Sequence, residues 1–278
     1  EVKEKKHLHR RRCAAEPLRP LIHGLPGAGK SRVIKWIRSL FEEVLDWTHG
    51  VEFVFLAWQN KMAALIAGYT VHSWGEVLIS TQKAKSSKDK EWATPDVNKL
   101  FGKCEQMRFI IIDEISTVSA ELLSTMESNV SKAVRSTGTR KMRPDGSTRP
   151  FGGMNLLCFG DWWQLPPVRA TALFSNPFRD LPNKVQRILA MFWMKQQDSV
   201  LHMWELTQNQ RLRDPWLIQF LSECRNGTQS EEMYQFEASI CCRSLRASLQ
   251  RSQVPRHPVA SAILCPCYEK GALMVEGA

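Results

Sequence analysis

Apolar runs too short for a membrane and stretches of helical period alternate along most of the chain. Leu21-Ile22-His23 is a brief apolar run, and after it Val33, Ile34, Ile37, Leu40 and Phe41 recur at helical spacing. Residues 51–57 (Val-Glu-Phe-Val-Phe-Leu-Ala) predict a buried strand and residues 60–67 a helix. Residues 81–96 are polar and lysine-rich, as a surface connection would be. Phe109-Ile110-Ile111-Ile112 predicts a strand that ends in two acids, Asp113 and Glu114. Leu122, Leu123, Met126, Val130 and Val134 predict the helix that follows. A basic loop bearing Gly and Pro runs to Pro150, and residues 154–159 form a further strand halted at Gly160-Asp161. Another element begins at Leu206-Thr207-Gln208-Asn209-Gln210-Arg211, and residues 215–225 predict a helix. Beyond Asn226-Gly227 the periodicity dissolves into Ser, Arg and Pro.

Short apolar strands alternating with helices indicate an α/β fold, a parallel sheet flanked by helices. In such a sheet ligand loops gather at the carboxyl ends of the strands. Residues 24–31, Asp113-Glu114 and Gly160-Asp161 all fall at such ends.

Composition narrows the function classes. The 278 residues carry a formal net charge of +10, with 43% hydrophobic residues and no apolar stretch approaching the ~20 residues a membrane helix needs. The basic residues concentrate at 5–12, in the loop 135–149 with Arg140, Lys141 and Arg143, and in a tail with Arg243, Arg246, Arg251 and Arg256. Such an excess favours a polyanionic partner, with solvated arms as the alternative for the terminal runs. Cys241-Cys242 and Cys265-Pro266-Cys267 lack the two-residue gap usual in zinc sites, so reduced thiols in an intracellular compartment are the simpler reading. A first residue of Glu1 reads as a fragment or processed form, leaving any targeting segment outside view.

The stretch GLPGAGKS at 24–31 has the spacing of a phosphate-binding loop, Gly24-Leu25-Pro26-Gly27-Ala28-Gly29-Lys30-Ser31. Its glycines let successive N–H groups turn inward on a phosphate, Lys30 adds a point charge, and the Ser31 hydroxyl suits Mg²⁺. ATP and Mg²⁺ are the ligands this predicts. Asp113 is the candidate to hold Mg²⁺ opposite Ser31 through its water shell. Glu114 is the candidate to polarise a water for attack on the γ-phosphate, which argues for hydrolysis rather than transfer. Gln164, within Gly160-Asp161-Trp162-Trp163-Gln164-Leu165-Pro166-Pro167, is a candidate γ-phosphate sensor. Trp162 and Trp163 are either core anchors or a stacking platform.

GLPGAGKS, FIIIDEISTVSAELL, FGGMNLLCFGDWWQLPPV and LTQNQRLRD, in that order, resemble the Pif-type branch of superfamily-one DNA helicases, relatives of RecD. The likeness covers roughly residues 18–228. It implies two RecA-like domains with ATP between them, 5′-to-3′ translocation on single-stranded DNA and unwinding of DNA junctions. It also implies settings in repair, recombination and telomere maintenance, in nucleus or mitochondrion. Carried over by position, Lys30, Ser31, Asp113, Glu114 and Gln164 take the roles given above, and Arg211 matches the arginine at the domain interface. Thr70-Val71-His72-Ser73-Trp74 is similar to the segment that lies along DNA in that family. Thr70, His72, Ser73 and Trp74, together with Lys61, are therefore the candidate DNA contacts.

The sequence departs from the family in three places, one being that the amino-terminal glutamine motif that reads adenine is not recognisable, which leaves base preference open. Asn60-Lys61-Met62-Ala63-Ala64 stands where the family has Thr-Gly ahead of Ile-Ala-Ala, and the family's later motifs are not recognisable in residues 229–278. The expected organisation is a basic arm (1–17), a first RecA-like P-loop ATPase domain (18–200), the start of a truncated or divergent second RecA-like domain (201–228) and a divergent tail (229–278). The leading function is an ATP-dependent DNA helicase or its ATPase portion. A nucleic-acid-binding remnant without unwinding activity is the alternative, and a P-loop enzyme acting on a small molecule is the third reading.

Overall fold

The computed structural model describes residues 15–77, 97–134, 140–200 and 202–228, with 230, 231 and 235. Six strands form one sheet: β1 (Pro20–Gly24), β2 (Phe53–Ala57), β3 (Tyr69–Thr70), β4 (Phe109–Ile112), β5 (Asn155–Gly160) and β6 (His202–Leu206). Their order is β3-β2-β4-β5-β1-β6, and every neighbouring pair is parallel. Six helices connect them: α1 (Lys30–Ser39, continued by a π turn at Leu40–Val44), α2 (Asn60–Leu65), α3 (Val71–Trp74), α4 (Val97–Cys104), α5 (Ala120–Ala133) and α6 (Asn183–Trp193). None among the described residues is long and apolar enough to cross a membrane.

β1 and β2 are buried along their whole length, and β4 and β5 apart from their first residues, as a parallel sheet covered on both faces requires. The two-residue period of a strand divides these runs between two cores. Val54, Leu56, Ile110, Ile112, Leu156 and Cys158 face one side, where they pack with residues of α3, α4, α5 and α6. Phe53, Phe55, Ile111, Leu157 and Phe159 face the other, against Ile34 of α1 and Phe41. At roughly 1.5–3 kcal/mol per fully buried aliphatic or aromatic side chain, these two layers dominate the fold's stability. The buried run Phe109–Ile112 is therefore strand from burial on both faces rather than from alternation.

The sheet has one edge finished by a side chain. β3 pairs with Leu56 and Ala57, and among the described residues the rest of β2 has on that side only an isolated parallel bridge, His49 to Phe53. His49 fills part of the gap: its Nε2 accepts the Phe55 N–H at 3.1 Å, and its ring stacks 5.5 Å from Tyr69. Burial, then the nearby Arg38 charge, pushes the His49 imidazole down to about 4, consistent with a ring that must stay neutral to accept.

Two arginines of the basic loop face inward although the loop around them is largely exposed. Arg143 is 4% exposed and Arg149 2%. Arg143 donates to both oxygens of Glu16 (2.8 and 3.0 Å) and to Asp198. Arg149 reaches Glu16 and the carbonyls of Arg140 and Met142. Lys141 donates to the Ser131 and Val134 carbonyls at the C-terminus of α5, and Arg140 to the Met107 carbonyl. These cations close the base of the domain by satisfying carbonyls and carboxylates, so the polyanion expected at this loop has no free guanidinium at Arg143 or Arg149. The runs at 5–12 and 243–256, and the four tail cysteines, lie outside the described residues.

The expectation opens a second domain at residue 201. His202–Leu206 is instead the edge strand of the first sheet, in register with Pro20–Gly24, and the first compact unit runs to Arg211. The pattern misled because β6 is exposed along almost its whole length, unlike the central strands. A second unit begins at Leu212 and contains α7 (Pro215–Asn226). Asp214 caps α7, accepting from Trp216 N–H at 3.0 Å and Leu217 N–H at 3.4 Å, and Gly227 ends it at φ 66°.

Candidate functional site

β1 delivers the chain into residues 24–29, and α1 starts at Lys30. Gly27 has φ 83°, and Gly29, at the helix N-cap, has φ 100°. A Cβ on Gly27 would also lie 2.9 Å from both Arg211 Cβ and Asn209 Oδ1, so this position is closed to other residues twice over. The first turn of α1 carries no acid, which leaves its N-terminal amides and dipole open to an anion. Lys30 is 7% exposed, and its Nζ donates to the Gly24 carbonyl at 2.7 Å and the Leu25 carbonyl at 3.3 Å.

Asp113 and Glu114 follow β4 at the same end of the sheet. Asp113 is buried, and its Oδ1 accepts the Glu114 N–H at 3.0 Å. Burial, then the neighbouring Glu114 charge, raises its carboxyl to about 6, against the opposing pull of Lys30. Burial raises Glu114 too; Lys30 opposes the shift and Asp161 adds to it. Glu114 sits in the left-handed region at φ 51°, ψ 48°, a conformation that costs a non-glycine residue on the order of 1 kcal/mol. Thr117 holds it there: its hydroxyl and its N–H both donate to the Glu114 carbonyl, at 2.7 and 3.0 Å. The Glu114 Oε2 is buried with no hydrogen-bond partner in the protein. A desolvated carboxylate held in a strained turn makes Glu114 a candidate for chemistry.

The turn after β5 packs against the Asp113–Thr117 turn. A Cβ on Gly160 would meet Ile115 Cγ2 at 2.7 Å, so only glycine allows this approach. Asp161 is fully buried; its Oδ1 accepts the Trp163 N–H at 3.1 Å, and its carbonyl accepts the Gln164 N–H at 3.1 Å. The two tryptophans take opposite fates. Trp162 packs edge-on against Phe174 and Phe192, with ring centroids 6.2 and 5.9 Å away. Trp163 is 69% exposed.

Lys30, Ser31, Asp113, Glu114, Gln164 and Arg211 line one cavity of about 880 Å³, within the range of a small-molecule site. Arg211 reaches it from the loop after β6, within the first compact unit. Three lining features are absent from the expected set. Gln210 N–H donates to the Gly27 carbonyl at 2.8 Å and so pins the loop after β6 onto the phosphate loop. Arg32, Lys35 and Arg38 present a basic ridge of α1 at three-residue spacing, a signal present in the sequence. Met62, Leu65 and Ile66 form an apolar wall whose position no local pattern indicates.

A second cavity, of about 720 Å³, shares Pro26, Met62, Glu114 and Gln164 with the first and adds Trp58, Gln59, Trp163, Leu165 and Pro166. Of the expected DNA contacts, Lys61 and Ser73 are exposed, and His72 is half-buried. Thr70 caps α3, its Oγ1 accepting the Ser73 N–H at 3.1 Å. Trp74 is corrected: it is 3% exposed and belongs to the core under β2, so its ring offers no face to a strand. An aromatic at the end of a four-residue helix points wherever the sheet is, which its local sequence does not reveal.

The PIF1-like helicase family matches residues 18–234 of this chain. The ATP-dependent DNA helicase Pif1 of Bdellovibrio bacteriovorus is 28% identical over 219 residues, covering 77% of this chain and 41% of that protein. The ATP-dependent DNA helicase PIF1 of Danio rerio is 30% identical over 215 residues, covering 76% of this chain and 28% of that protein. The chain thus spans less than half the length of these relatives. The crystal structure of Pif1 helicase from Candida albicans superposes with a TM-score of 0.55 at 22% identity, covering 85% of this chain and 46% of that one, a likeness of fold. With the glycine-rich turn at 24–29, an Asp-Glu turn and a Gln164 turn on one parallel sheet, and a family match spanning most of its length, this chain belongs to the PIF1-like helicase family.

Proposed function

We propose that the chain carries the ATPase half of a 5′-to-3′ DNA helicase, coupling ATP hydrolysis to movement along single-stranded DNA and the opening of junctions. The observation that carries this reading is the convergence of Lys30, Ser31, Asp113, Glu114 and Gln164 on one cavity. The residues present fit ATP and Mg²⁺: the left-handed glycines cradle an anion, Lys30 is held over the loop, and the Glu114 Oε2 is buried without a partner. Ser31 and Asp113 would hold Mg²⁺, which when bound neutralises charge on the β- and γ-phosphates. Lys30 would leave its loop carbonyls to meet the phosphates. Glu114, kept basic by position and desolvated, would orient and deprotonate the attacking water. Gln164 and Arg211 would bind the γ-phosphate from two sides of the cavity.

The second cavity supports coupling to a strand. It meets the first at Glu114 and Gln164, so a shift of the Gln164 turn on loss of phosphate moves the exposed Trp163, Leu165 and Pro166. A single strand along Lys61, Ser73 and Trp163 would sense that shift through charge and stacking. Roles in repair, recombination and telomere maintenance, and a nuclear or mitochondrial setting, come with the family. The alternative of a binding remnant draws on one observation: among the described residues the second unit contributes α7 and no further sheet.

ATP hydrolysis measured with and without single-stranded DNA, beside Lys30→Ala, tests the reading. DNA-stimulated turnover abolished in the variant is the expected result. Salt-sensitive DNA binding with no turnover would overturn the motor and leave the remnant.

A further inference from the structure

We propose that His23 is a positioning residue that fixes the Gln164 turn relative to the phosphate loop, and thereby sets how well the site tells a nucleoside triphosphate from a diphosphate. This role rests on the nucleotide site proposed above and names a residue outside the set that lines it.

His23 is the penultimate residue of β1, one position ahead of Gly24, in a strand otherwise built of Pro, Leu, Ile and Gly. A polar ring in such a strand is the kind of buried group that needs a reason. The register sets it beside Gly160 on β5 and Glu205 on β6. Its side chain is 7% exposed. Nε2 lies 3.2 Å from the Trp162 N–H, which donates to it, and 3.4 Å from Asp161 Oδ1. Nδ1 faces Glu205 Oε1 at 3.6 Å.

These contacts tie together two loops that are otherwise separate in the chain. Asp161 organises residues 161–164 from inside, accepting the Trp163 and Gln164 amides. The imidazole binds the same turn from outside, at the Trp162 amide, and is itself rooted in the strand that feeds Gly24. To the β1–β5 pairing that sets the two strands side by side, the imidazole adds a direct tie between the end of β1 and the backbone of the sensor turn. Misplacing a ligand-facing group by about 1 Å can cost a factor approaching a hundred in a preorganised site. An apolar side chain at position 23 would leave the Trp162 amide without its acceptor, freeing the turn to drift. Glutamine is the conservative replacement, because its amide oxygen can accept the Trp162 N–H as Nε2 does.

The test uses the whole chain, with Mg²⁺, ADP and a non-hydrolysable ATP analogue titrated separately by calorimetry. The readout is the ratio of the two dissociation constants, which does not depend on turnover. Wild type is expected to favour the triphosphate analogue. His23→Leu should shrink that preference by about tenfold, to the level of Gln164→Ala, with ADP affinity little changed. The double variant should lose nothing further, and His23→Gln should keep most of the preference. His23→Val makes the same comparison if the leucine variant does not fold. An unchanged ratio in His23→Leu, or equal weakening of both nucleotides that glutamine does not rescue, overturns the role. A wild type that binds both nucleotides equally overturns it too, while leaving the nucleotide site standing. A wild type that binds neither withdraws the site itself.

Discussion

Replacing Arg143 by Met separates two readings of the basic loop: a surface for polyanions, or an internal clasp. Met keeps most of the aliphatic stem and removes the guanidinium. That group makes two charge-assisted bonds to Glu16 and one to Asp198, with weaker contacts to Ser147 Oγ (3.2 Å) and the Thr148 carbonyl (3.4 Å). Breaking a fully buried pair costs about 3–5 kcal/mol because the partner is stranded. Here the partners are not stranded. Glu16 is 27% exposed and keeps Arg149 at 3.2 Å and Arg19 at 3.5 Å; Asp198 is 37% exposed and keeps Arg19 at 3.9 Å. The discounted cost is about 2–3 kcal/mol, equivalent to a fall in melting temperature of roughly 4–10 °C for a domain of this size. The loss should also depend on pH. The Arg143 hydrogen bond holds the Glu16 carboxyl below its usual 4.5. Its contribution is therefore present above pH 4.5 and disappears as pH falls through the lowered value, so wild type and variant should converge in acid. Thermal melts of both proteins at pH 7 and pH 4, with DNA binding measured alongside, make the comparison. An unchanged melting temperature together with weakened DNA binding would refute the clasp.

Glu114→Gln should keep nucleotide affinity and lower turnover by about 10²–10³-fold, as loss of a general base does; single-turnover hydrolysis checks this, and equal loss of binding would point to a structural role. Because the His49 imidazole is held at about 4 against 6.5 unfolded, wild-type stability should decline as pH falls from 6.5 toward 4. His49→Gln, which can still accept from Phe55, should flatten that decline in melts across the same range. Trp162→Ala should cost about 2–4 kcal/mol in urea unfolding, whereas Trp163→Ala should leave stability unchanged and weaken single-strand binding. Equal effects from the two tryptophans would contradict their opposite burial.

The residues of the proposed nucleotide site could be picked out in the sequence because the chemistry proposed for them is local. A phosphate loop needs glycines, a lysine and a hydroxyl within eight residues, and the backbone geometry of Gly27 and Gly29 follows from those residues alone. The acids at 113 and 114 were legible for a related reason: a short β-branched apolar run reads as a buried strand, and in a parallel sheet its carboxyl end is where ligand loops gather. Strand β6 was assigned to the wrong body because its side chains carry almost no burial pattern, and its pairing with β1 is made across some 180 residues of intervening chain. Trp162 and Trp163, adjacent and chemically identical, were separated only by which of them the Asp161 turn directs into the core. The same holds for Arg143, which as a sequence is a cation in a basic loop and as a structure is the partner of Glu16, 127 residues away. His23 read as the end of an apolar run until the register placed Gly160 and Glu205 on either side of it. Sequence by itself determined the chemistry available and the strands that carry it, because those depend on neighbours a few residues apart. Tertiary structure alone decided which charges and rings face solvent, because desolvation is set by contacts between residues far apart in the chain.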